Sequence, residues 1–265
     1  MGSATREATA ASRAALEAAS ASISLALADE LFAAGRTIGS SLQLRTLLGE
    51  TAGDDANKRA ALTAVFGSSL SPVAISLLET VVTQRWSSID DMLAGIEDLG
   101  LRAVASAAPQ GADLEGELFS FGATVTSNPE LELAIGSKLG EPAAKAALVD
   151  RLFSGALSSE ALAIVRHLVQ QPRGRRIGQL VADSTRTVAD ASGYLIATVT
   201  AAAPLTDAQR VKVQQSLANR YGRTVKLNVV IDPSLIGGLR IAIGNDIIDG
   251  SVATRIADLR LQLAG

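Results

Sequence analysis

The chain has 265 residues, with 24 lysines and arginines against 27 aspartates and glutamates, and 48% of its residues are hydrophobic. That length suffices for about two domains with a sizeable core, which excludes an unstructured chain. The net charge of −3 gives no global reason to bind nucleic acid or an anionic membrane surface. With no cysteine and a single histidine, the chain lacks thiolate chemistry and has too few ligands for a typical transition-metal site.

The N-terminal segment is predicted to be a helix. It is rich in alanine and serine with Arg6 and Arg13, but Glu7 and Glu17 do not fit the acid-poor composition of a transit peptide. No stretch reaches the roughly 18 consecutive apolar residues that a spanning helix needs, so we expect a soluble chain.

The sequence contains an internal repeat at one fixed offset of 87 residues (117 minus 30). Phenylalanine is scarce in the chain, yet two phenylalanine pairs coincide, which composition alone does not explain. We therefore predict a duplicated domain, with a first copy at 1–108 and a second copy at 109–191. The matches are Glu30-Leu31-Phe32 with Glu117-Leu118-Phe119, Gly35 with Gly122, Leu44 with Leu131, Gly49 with Gly136, Lys58 with Lys145, Phe66 with Phe153, Leu70-Ser71 with Leu157-Ser158, and Leu93 with Leu180.

Both copies are predicted to be helical bundles. Apolar residues recur at helical spacing in 74–82 and again in 161–169, and short segments rich in Gly, Pro, Ser and Asp separate the helices. We expect segments 27–93 and 114–180 to superpose. The helix predicted over 89–108 ends the first copy and, at the same offset, stands where the 6–19 helix would begin the second, so it belongs to one copy or to both.

After about Ser192 the hydrophobic pattern changes from a period of 3.6 to a period of 2, which predicts a third domain at 192–265. Its predicted strands lie at 194–199, 225–231 and 239–243. A capping box of Thr206 and Gln209 begins a helix that ends near Gly222, and Ser251 begins a final helix. The fold class is therefore mainly α, with a duplicated N-terminal helical bundle followed by a small C-terminal α/β domain that has a short sheet.

The two parts differ in charge. Residues 1–191 carry 16 basic and 22 acidic residues, or −6, and residues 192–265 carry 8 and 5, or +3. This difference indicates different binding partners.

Candidate catalytic groups are few. His167 has no serine or aspartate at a recognisable spacing, so we interpret it as a partly exposed structural histidine. Asp54-Asp55 and Asp90-Asp91 are interpreted as helix caps, and Arg173-Gly174-Arg175-Arg176 as a solvated turn or a salt-bridging rim. No phosphate-binding loop, dinucleotide fingerprint or calcium loop is present, and we predict no catalytic, cofactor-binding or metal-binding residue.

The segment from Ile231 to Val252, IDPSLIGGLRIAIGNDIIDGSV, is the most unusual local sequence. Pro233 ends a strand, and Gly237 and Gly238 permit a positive φ or a close backbone approach before the next strand. Asn245-Asp246 and Asp249-Gly250 are interpreted as turn residues. The segment is predicted to form a strand, a tight connection, a strand, a hairpin and the final helix.

The longer sequence VVIDPSLIGGLRIAIGNDIIDGSVATRIADL closely resembles the C-terminal signature of the delta subunit of F-type ATP synthases, the oligomycin-sensitivity-conferring protein family. The preceding VTAAAPLTDAQRVKVQQSLANRYGRTVKLNV resembles that family's strand, helix and strand, and LSPVAISLLETVV and LSSEALAIVRHLV resemble its late bundle helices. The signature residues are Asp232, Pro233, Leu235, Ile236, Gly237, Gly238, Gly244, Asp249, Gly250 and Ser251.

The resemblance implies a subunit with no active site and no cofactor that joins the catalytic head to the peripheral stalk. It implies that the helical bundle binds the alpha subunits, that the C-terminal domain binds the b-type stalk subunit, and that each complex holds one copy. It further implies a location on the cytoplasmic face of the bacterial cell membrane, with membrane contact only through the complex and no contact with nucleic acid.

The chain departs from the usual family pattern, because it has two bundle copies where the usual subunit has one. In this it resembles the enlarged delta subunits of actinobacteria, and which copy binds the head stays open. Two other classes of protein are a helical adaptor unrelated to ATP synthesis and an enzyme that uses His167 or the arginine cluster. The signature argues against the first, and the lack of a convergent polar constellation argues against the second.

Overall fold

A computed structural model describes residues 2–50, 53–137, 140–244 and 246–250. The chain forms two compact units, residues 1–188 and residues 189–265. Each unit has a hydrophobic core of its own.

The first unit is helical throughout its described residues. Its helices are α1 (Ser3–Ala18), α2 (Leu25–Ser40), α3 (Leu42–Gly49), α4 (Asp55–Phe66), α5 (Pro72–Thr83), α6 (Ile89–Ala107), α7 (Leu114–Ser127), α8 (Pro129–Gly136), α9 (Pro142–Phe153), α10 (Ser159–Gln170) and α11 (Ile177–Ala191), the last of which ends in the second unit.

Local chemistry explains where several of these helices begin. The side chains of Ser71, Ser88 and Ser158 each accept a hydrogen bond from a backbone N–H in the first turn of α5, α6 and α10. Asp54 caps α4 in the same way, and Asp90-Asp91 lies in the first turn of α6, where a carboxylate favours the helix dipole. The interpretation of both acidic pairs as capping groups is confirmed.

The 87-residue offset reappears in the helix bounds. Helices α3, α4 and α5 begin and end 87 residues before α8, α9 and α10, for example 129 minus 42 and 136 minus 49. One side-chain contact is repeated as well, since Ser71 donates to Glu30 at 2.6 Å and Ser158 donates to Glu117 at 2.7 Å. At this offset α1 corresponds to α6, and α6 corresponds to α11. That segments 27–93 and 114–180 superpose stays a prediction.

The two copies share one core. The buried side chains that form it include Phe32 and Leu99 from the first copy and Phe121 and Leu168 from the second. Helix α6 packs against α2 and α5 of the first copy and against α10 of the second, so it lies at the junction between them. The apolar stripe that the sequence shows in 74–82 and 161–169 is therefore buried in a common interior.

The second unit contains a four-stranded sheet and one helix within its described residues. Strand β1 (Tyr194–Ala201) is followed by helix α12 (Asp207–Tyr221), β2 (Thr224–Ile231), β3 (Leu239–Ile243) and β4 (Asp246–Asp249). The order in the sheet is β2-β1-β3-β4. Strands β1 and β2 are parallel, as a crossover through a helix requires, and β3 pairs antiparallel with both β1 and β4.

Helix α12 begins and ends as predicted, with the capping box of Thr206 and Gln209 and with Gly222 at a left-handed φ of 66°. Its buried Leu217 packs with Ala197 and Val225 of the sheet. The interpretation of Asp246 and Asp249 as turn residues was wrong, because they form the ends of β4. Asn245 lies outside the described residues, and Gly250 follows the strand. The helix predicted from Ser251 lies outside the described residues.

We predict that Glu30→Ala and Glu117→Ala lower the free energy of unfolding by similar amounts, about 1–3 kcal/mol each, because each removes a charged acceptor from a serine that begins the late helix. Urea unfolding measures both variants. Glu7→Ala, an exposed change on α1, is the control and is expected to stay within about 0.5 kcal/mol of the parent. A large loss in one variant and none in the other would contradict the equivalence of the two contacts.

Candidate functional site at the junction of the helical copies

Five charged or titratable side chains meet where the two copies join. Arg36 lies on α2, Glu97 on α6, His167 on α10, and Arg173 and Arg175 in the turn between α10 and α11. We call these five residues the junction cluster. Because α2 and α6 belong to the first copy and the other three residues to the second, every contact of Glu97 described below joins the copies.

Glu97 is the centre of the junction cluster. Arg173 donates to its Oε2 at 2.6 Å, and Arg175 lies 2.9 Å from both carboxylate oxygens. Nε2 of His167 is 3.4 Å from Oε2 of Glu97, and Nδ1 of His167 is 3.5 Å from Nη1 of Arg36. Since a guanidinium can only donate, Nδ1 accepts from Arg36 and Nε2 carries the proton toward Glu97.

The prediction that His167 is partly exposed was wrong. The residue is only 2% exposed, and its ring stacks on Phe32 with centroids 4.1 Å apart. The sequence places His167 beside the apolar stripe of α10, but it does not show that α2 covers that edge of the helix. Burial lowers the pKa of His167, opposed by Glu97 and reinforced by Arg36 and Arg173.

Glu97 keeps its charge although it is only 8% exposed. Burial by itself disfavours the carboxylate, but the hydrogen bond with His167 and the charges of Arg173 and Arg175 outweigh it and lower the pKa of Glu97 to about 2. The carboxylate is therefore ionised across the whole physiological range.

Arg173 is held in an unfavourable backbone conformation. Its φ is 47°, a left-handed value that costs a residue other than glycine about 1–3 kcal/mol. Its buried Nε also has no hydrogen-bond partner among the described residues. The ion pair with Glu97 offsets these costs. The arginine segment was interpreted as a solvated turn or a salt-bridging rim, and the structure supports the salt-bridging interpretation for Arg173 and Arg175.

The corresponding place in the first copy is built without charges. At the 87-residue offset Glu97, His167 and Arg173 correspond to Ala10, Thr80 and Trp86. The indole ring of Trp86 packs on Gly95, where any side chain would collide with it, and its Nε1 donates to the carbonyl of Val81 at 2.7 Å. At the same offset Gly95 corresponds to Ala182 and not to Glu97, so this packing is a different contact. None of the three counterparts in the first copy carries a charge.

An open cleft of about 890 Å³ borders the junction cluster, and three residues of the cluster line it. Its lining includes Arg36, Arg45, Asp90, Asp91, Arg173 and Arg175. Arg45 pairs with Asp90 at 3.2 Å, and the lining as a whole has four arginines against two aspartates. Within the described ranges, no group of three or more His, Cys, Asp or Glu side chains is arranged to hold a metal ion.

Sequence reasoning missed Glu97 and Arg36. A signal for Glu97 exists, because it lies between the buried Ile96 and Leu99 on the face of α6 that is otherwise apolar. A carboxylate in such a stripe needs a partner, but the sequence does not say which residue supplies it.

The signature residues form the connection between β2 and β3 and the strands that follow it. The carboxylate of Asp232 accepts hydrogen bonds from the N–H and the hydroxyl of Ser234 at 2.9 and 2.6 Å, and these bonds lower the pKa of Asp232. Ile236 is 79% exposed, and the N–H of Gly250 donates to the carbonyl of Leu239 at 2.9 Å. The remaining described members are Pro233, Leu235, Gly237, Gly238, Gly244 and Asp249, and Ser251 lies outside the described residues.

The signature glycines have the backbone geometry that the sequence suggests. The φ angles of Gly237, Gly238 and Gly244 are 146°, 83° and 55°, all in the region that favours glycine. Gly237 and Gly238 also line a cleft of about 400 Å³ with Pro204, Lys212 and Leu239. No catalytic constellation is assembled among the described signature residues.

The described part of the chain has no helix that is both long enough and apolar enough to span a membrane. It forms a mainly helical protein whose repeated bundle is joined through buried charges, with a small α/β unit at its C-terminal end.

Comparison with known proteins identifies the family. A family described as "ATP synthase delta (OSCP) subunit" matches residues 101–263, which begin within α6 and include the second copy. An "ATP synthase subunit delta" from Leifsonia xyli subsp. xyli is 50% identical over 265 residues, covering 100% of both chains. The subunit of that name from Streptomyces avermitilis is 36% identical over 267 residues and covers 98% of each. The chain belongs to the ATP synthase delta (OSCP) subunit family.

Among solved structures, a chain of the Toxoplasma gondii mitochondrial ATP synthase hexamer aligns with 63% of this chain and 95% of its own length. The TM-score is 0.42 and the identity 21%. The alignments with the two relatives named above include both helical copies of this chain and its C-terminal unit.

We predict that Gly238→Val lowers the free energy of unfolding by at least about 1 kcal/mol, because a β-branched residue is strained at a φ of 83°. Thermal unfolding measures the loss. Gly155→Val is the matched control, since a side chain at Gly155 meets no atom within 4 Å. Equal melting temperatures for the parent and Gly238→Val would contradict the structural role of this glycine.

We also predict that Glu97→Gln costs about 2–4 kcal/mol, because it leaves Arg173 and Arg175 without the charge that compensates them. Glu7→Gln, on the exposed side of α1, is expected to change the free energy of unfolding by less than about 0.5 kcal/mol. Chemical denaturation of both variants at pH 7.5 provides the comparison. A neutral effect of Glu97→Gln would show that the buried charge contributes nothing net to folding.

Proposed function

We propose that the chain is a non-catalytic connector of the F-type ATP synthase, joining the alpha subunits of the catalytic head to the b-type peripheral stalk. The observation that carries this proposal is membership of the delta (OSCP) subunit family along the full length of the chain. In this role the subunit holds the head still while the rotor turns, so that proton flow is coupled to ATP synthesis. One chain serves each complex, at the cytoplasmic face of the cell membrane.

The architecture supports a connector in two ways. The two units have separate cores, so each is able to present its own binding surface. Their charges have opposite sign, −6 for residues 1–191 and +3 for residues 192–265, which favours different partners. We assign the helical unit to the alpha subunits and the α/β unit to the stalk.

Within the helical unit, the first copy is the better candidate for the contact with the head. Helix α2 lies against α6 and against α10 of the second copy, with Phe32 stacked on His167 and the amide of Gln171 donating to the carbonyl of Gly35 at 3.0 Å. At the 87-residue offset, α6 and α10 correspond to α1 and α5. There Ala10, the counterpart of Glu97, is exposed.

The difference between the face of α6 and α10 and the face of α1 and α5 supports a single helix-binding face in each chain. The chain's own α2 covers the face of α6 and α10, whereas the equivalent face of α1 has small side chains that permit close approach of a partner helix. We therefore expect the head to bind along α1 and α5.

A reconstitution experiment tests the connector. Synthase depleted of this subunit is supplied with the intact chain or with a chain that carries a protease site beside Ser192 and has been cleaved there. We expect the intact chain to restore proton-driven ATP synthesis and the cleaved chain to fail, because one covalent chain must hold both partners at once. ATP hydrolysis is measured separately, and the chain alone is expected to show none. Full restoration by the cleaved chain, or hydrolysis by the chain itself, would refute the connector mechanism.

The assignment of the head contact is tested with Ala10→Tyr. The bulky ring on the exposed face of α1 is expected to weaken binding of the alpha subunits at least about tenfold, since it blocks close helix approach without entering the core. Ala147→Tyr, on the exposed side of α9 in the second copy, is the matched control. If Ala147→Tyr weakens binding and Ala10→Tyr does not, the head contact lies on the second copy.

A further inference from the structure

We propose that His167 is an acid-sensitive latch that holds α10 of the second copy against α2 and α6 of the first. In the neutral form, its two ring nitrogens join the copies, one accepting from Arg36 and the other donating to Glu97. A second proton on Nδ1 removes the acceptor for Arg36 and places a cation among three guanidinium groups. The junction then opens while the helices themselves persist.

The surroundings of His167 disfavour a second proton on its ring. His167 is 2% exposed and its ring is stacked on Phe32, so water does not reach it to solvate a charge. Nδ1 faces the guanidinium of Arg36 at 3.5 Å, and a protonated nitrogen there would oppose a donor. Protonation of Nδ1 therefore displaces the guanidinium of Arg36, and α2 loses this contact with α10.

The charges that face the ring come from each element that covers it. Helix α6 contributes Glu97, which favours the cation, whereas α2 contributes Arg36 and the α10–α11 turn contributes Arg173, which oppose it. Arg175 of the same turn is paired with Glu97. Glu97 is one negative charge already bonded to two arginines. Its single charge does not compensate a third cation.

The charged groups of the other helices that pack on α10 are engaged elsewhere. Asp150 of α9 pairs with Arg166 at 2.5 Å, and Lys145 of α9 bonds to the carbonyl of Ser137. Glu117 of α7 accepts from Ser158 at the start of α10. Asp29, one of the charges that act on Arg36, is on the same helix as Arg36 and moves with it.

The direction of the pH effect follows from linkage. Because burial lowers the pKa of His167 in the folded chain, the closed junction binds fewer protons than the open one. The stabilisation that the neutral ring gives the closed junction is fully present above pH 6.5, the ordinary value for histidine, and is lost as the pH falls from there toward the lowered pKa of His167. For a single proton, the open-to-closed ratio rises by up to about tenfold per pH unit in that window. Glu97, with a pKa of about 2, does not titrate there.

The composition of the chain allows the histidine and the introduced spin labels to be observed without interference from other residues of the same type. His167 is the only histidine, so the Cε1–H resonance in a proton NMR titration of the full chain reports its pKa with no assignment needed. The chain has no cysteine, so Arg59→Cys on α4 and Leu152→Cys on α9 place one spin label on each copy at exposed positions. Distances between the labels are measured at pH 7.5 and pH 5.5, with circular dichroism to follow helix content.

For the parent chain we expect a histidine pKa below 6.5 and a label distance that broadens at pH 5.5 while helix content stays constant. His167→Gln keeps one acceptor and one donor but does not titrate, and its distance distribution is expected to be the same at both pH values. His167→Gln combined with Thr80→His returns one histidine at the corresponding place of the first copy and is expected to restore no acid response.

Several results would overturn the latch. They are a histidine pKa at or above 6.5, an unchanged label distance in the parent at pH 5.5, an acid response that survives His167→Gln, or loss of helix content together with the distance change. The first two results, the histidine pKa and the label distance at pH 5.5, are obtained with His167 in place. They therefore decide the question even if His167→Gln fails to fold.

Discussion

The helical unit depends on one buried carboxylate. Glu97 lies on α6, the helix that packs against both copies, and all three of its partners come from the second copy. In a medium of low dielectric constant, a carboxylate without those partners would be strongly unfavourable, and so would Arg173 without the carboxylate. The two copies are therefore held in one relative arrangement, because any other would leave buried charges uncompensated.

Buried ion pairs are frequently no more stabilising than apolar packing, so stability alone does not explain the junction cluster. The chain itself provides a comparison, since the counterparts of Glu97, His167 and Arg173 in the first copy are Ala10, Thr80 and Trp86, none of which is charged. Duplicated bundles face a particular hazard, because helices of one copy resemble those of the other and are able to pair wrongly. We interpret the cluster as the feature that distinguishes the correct pairing, since only Glu97 meets two arginines and a histidine.

The sequence predicts the features that depend on near neighbours. The helix bounds at the 87-residue offset, the capping box of α12 and the order strand, helix, strand in the second unit follow from caps, apolar stripes and alternation within about 20 residues. The exposure of His167 was misjudged, because Glu97 and Phe32 lie 70 and 135 residues away (167 minus 97 and 167 minus 32). Strand β4 was missed for a different reason. It is an edge strand with aspartates at both ends, and charged ends discourage further pairing while they imitate a turn in the sequence.

Duplication of a bundle does not double its free surface. The face that α6 and α10 form at the junction is covered by α2, whereas Ala10 on the corresponding face of α1 is exposed. The second copy instead adds to the shared core, which continues from the first copy to α11. A connector under torque benefits from stiffness more than from a second binding face, which fits the proposed role.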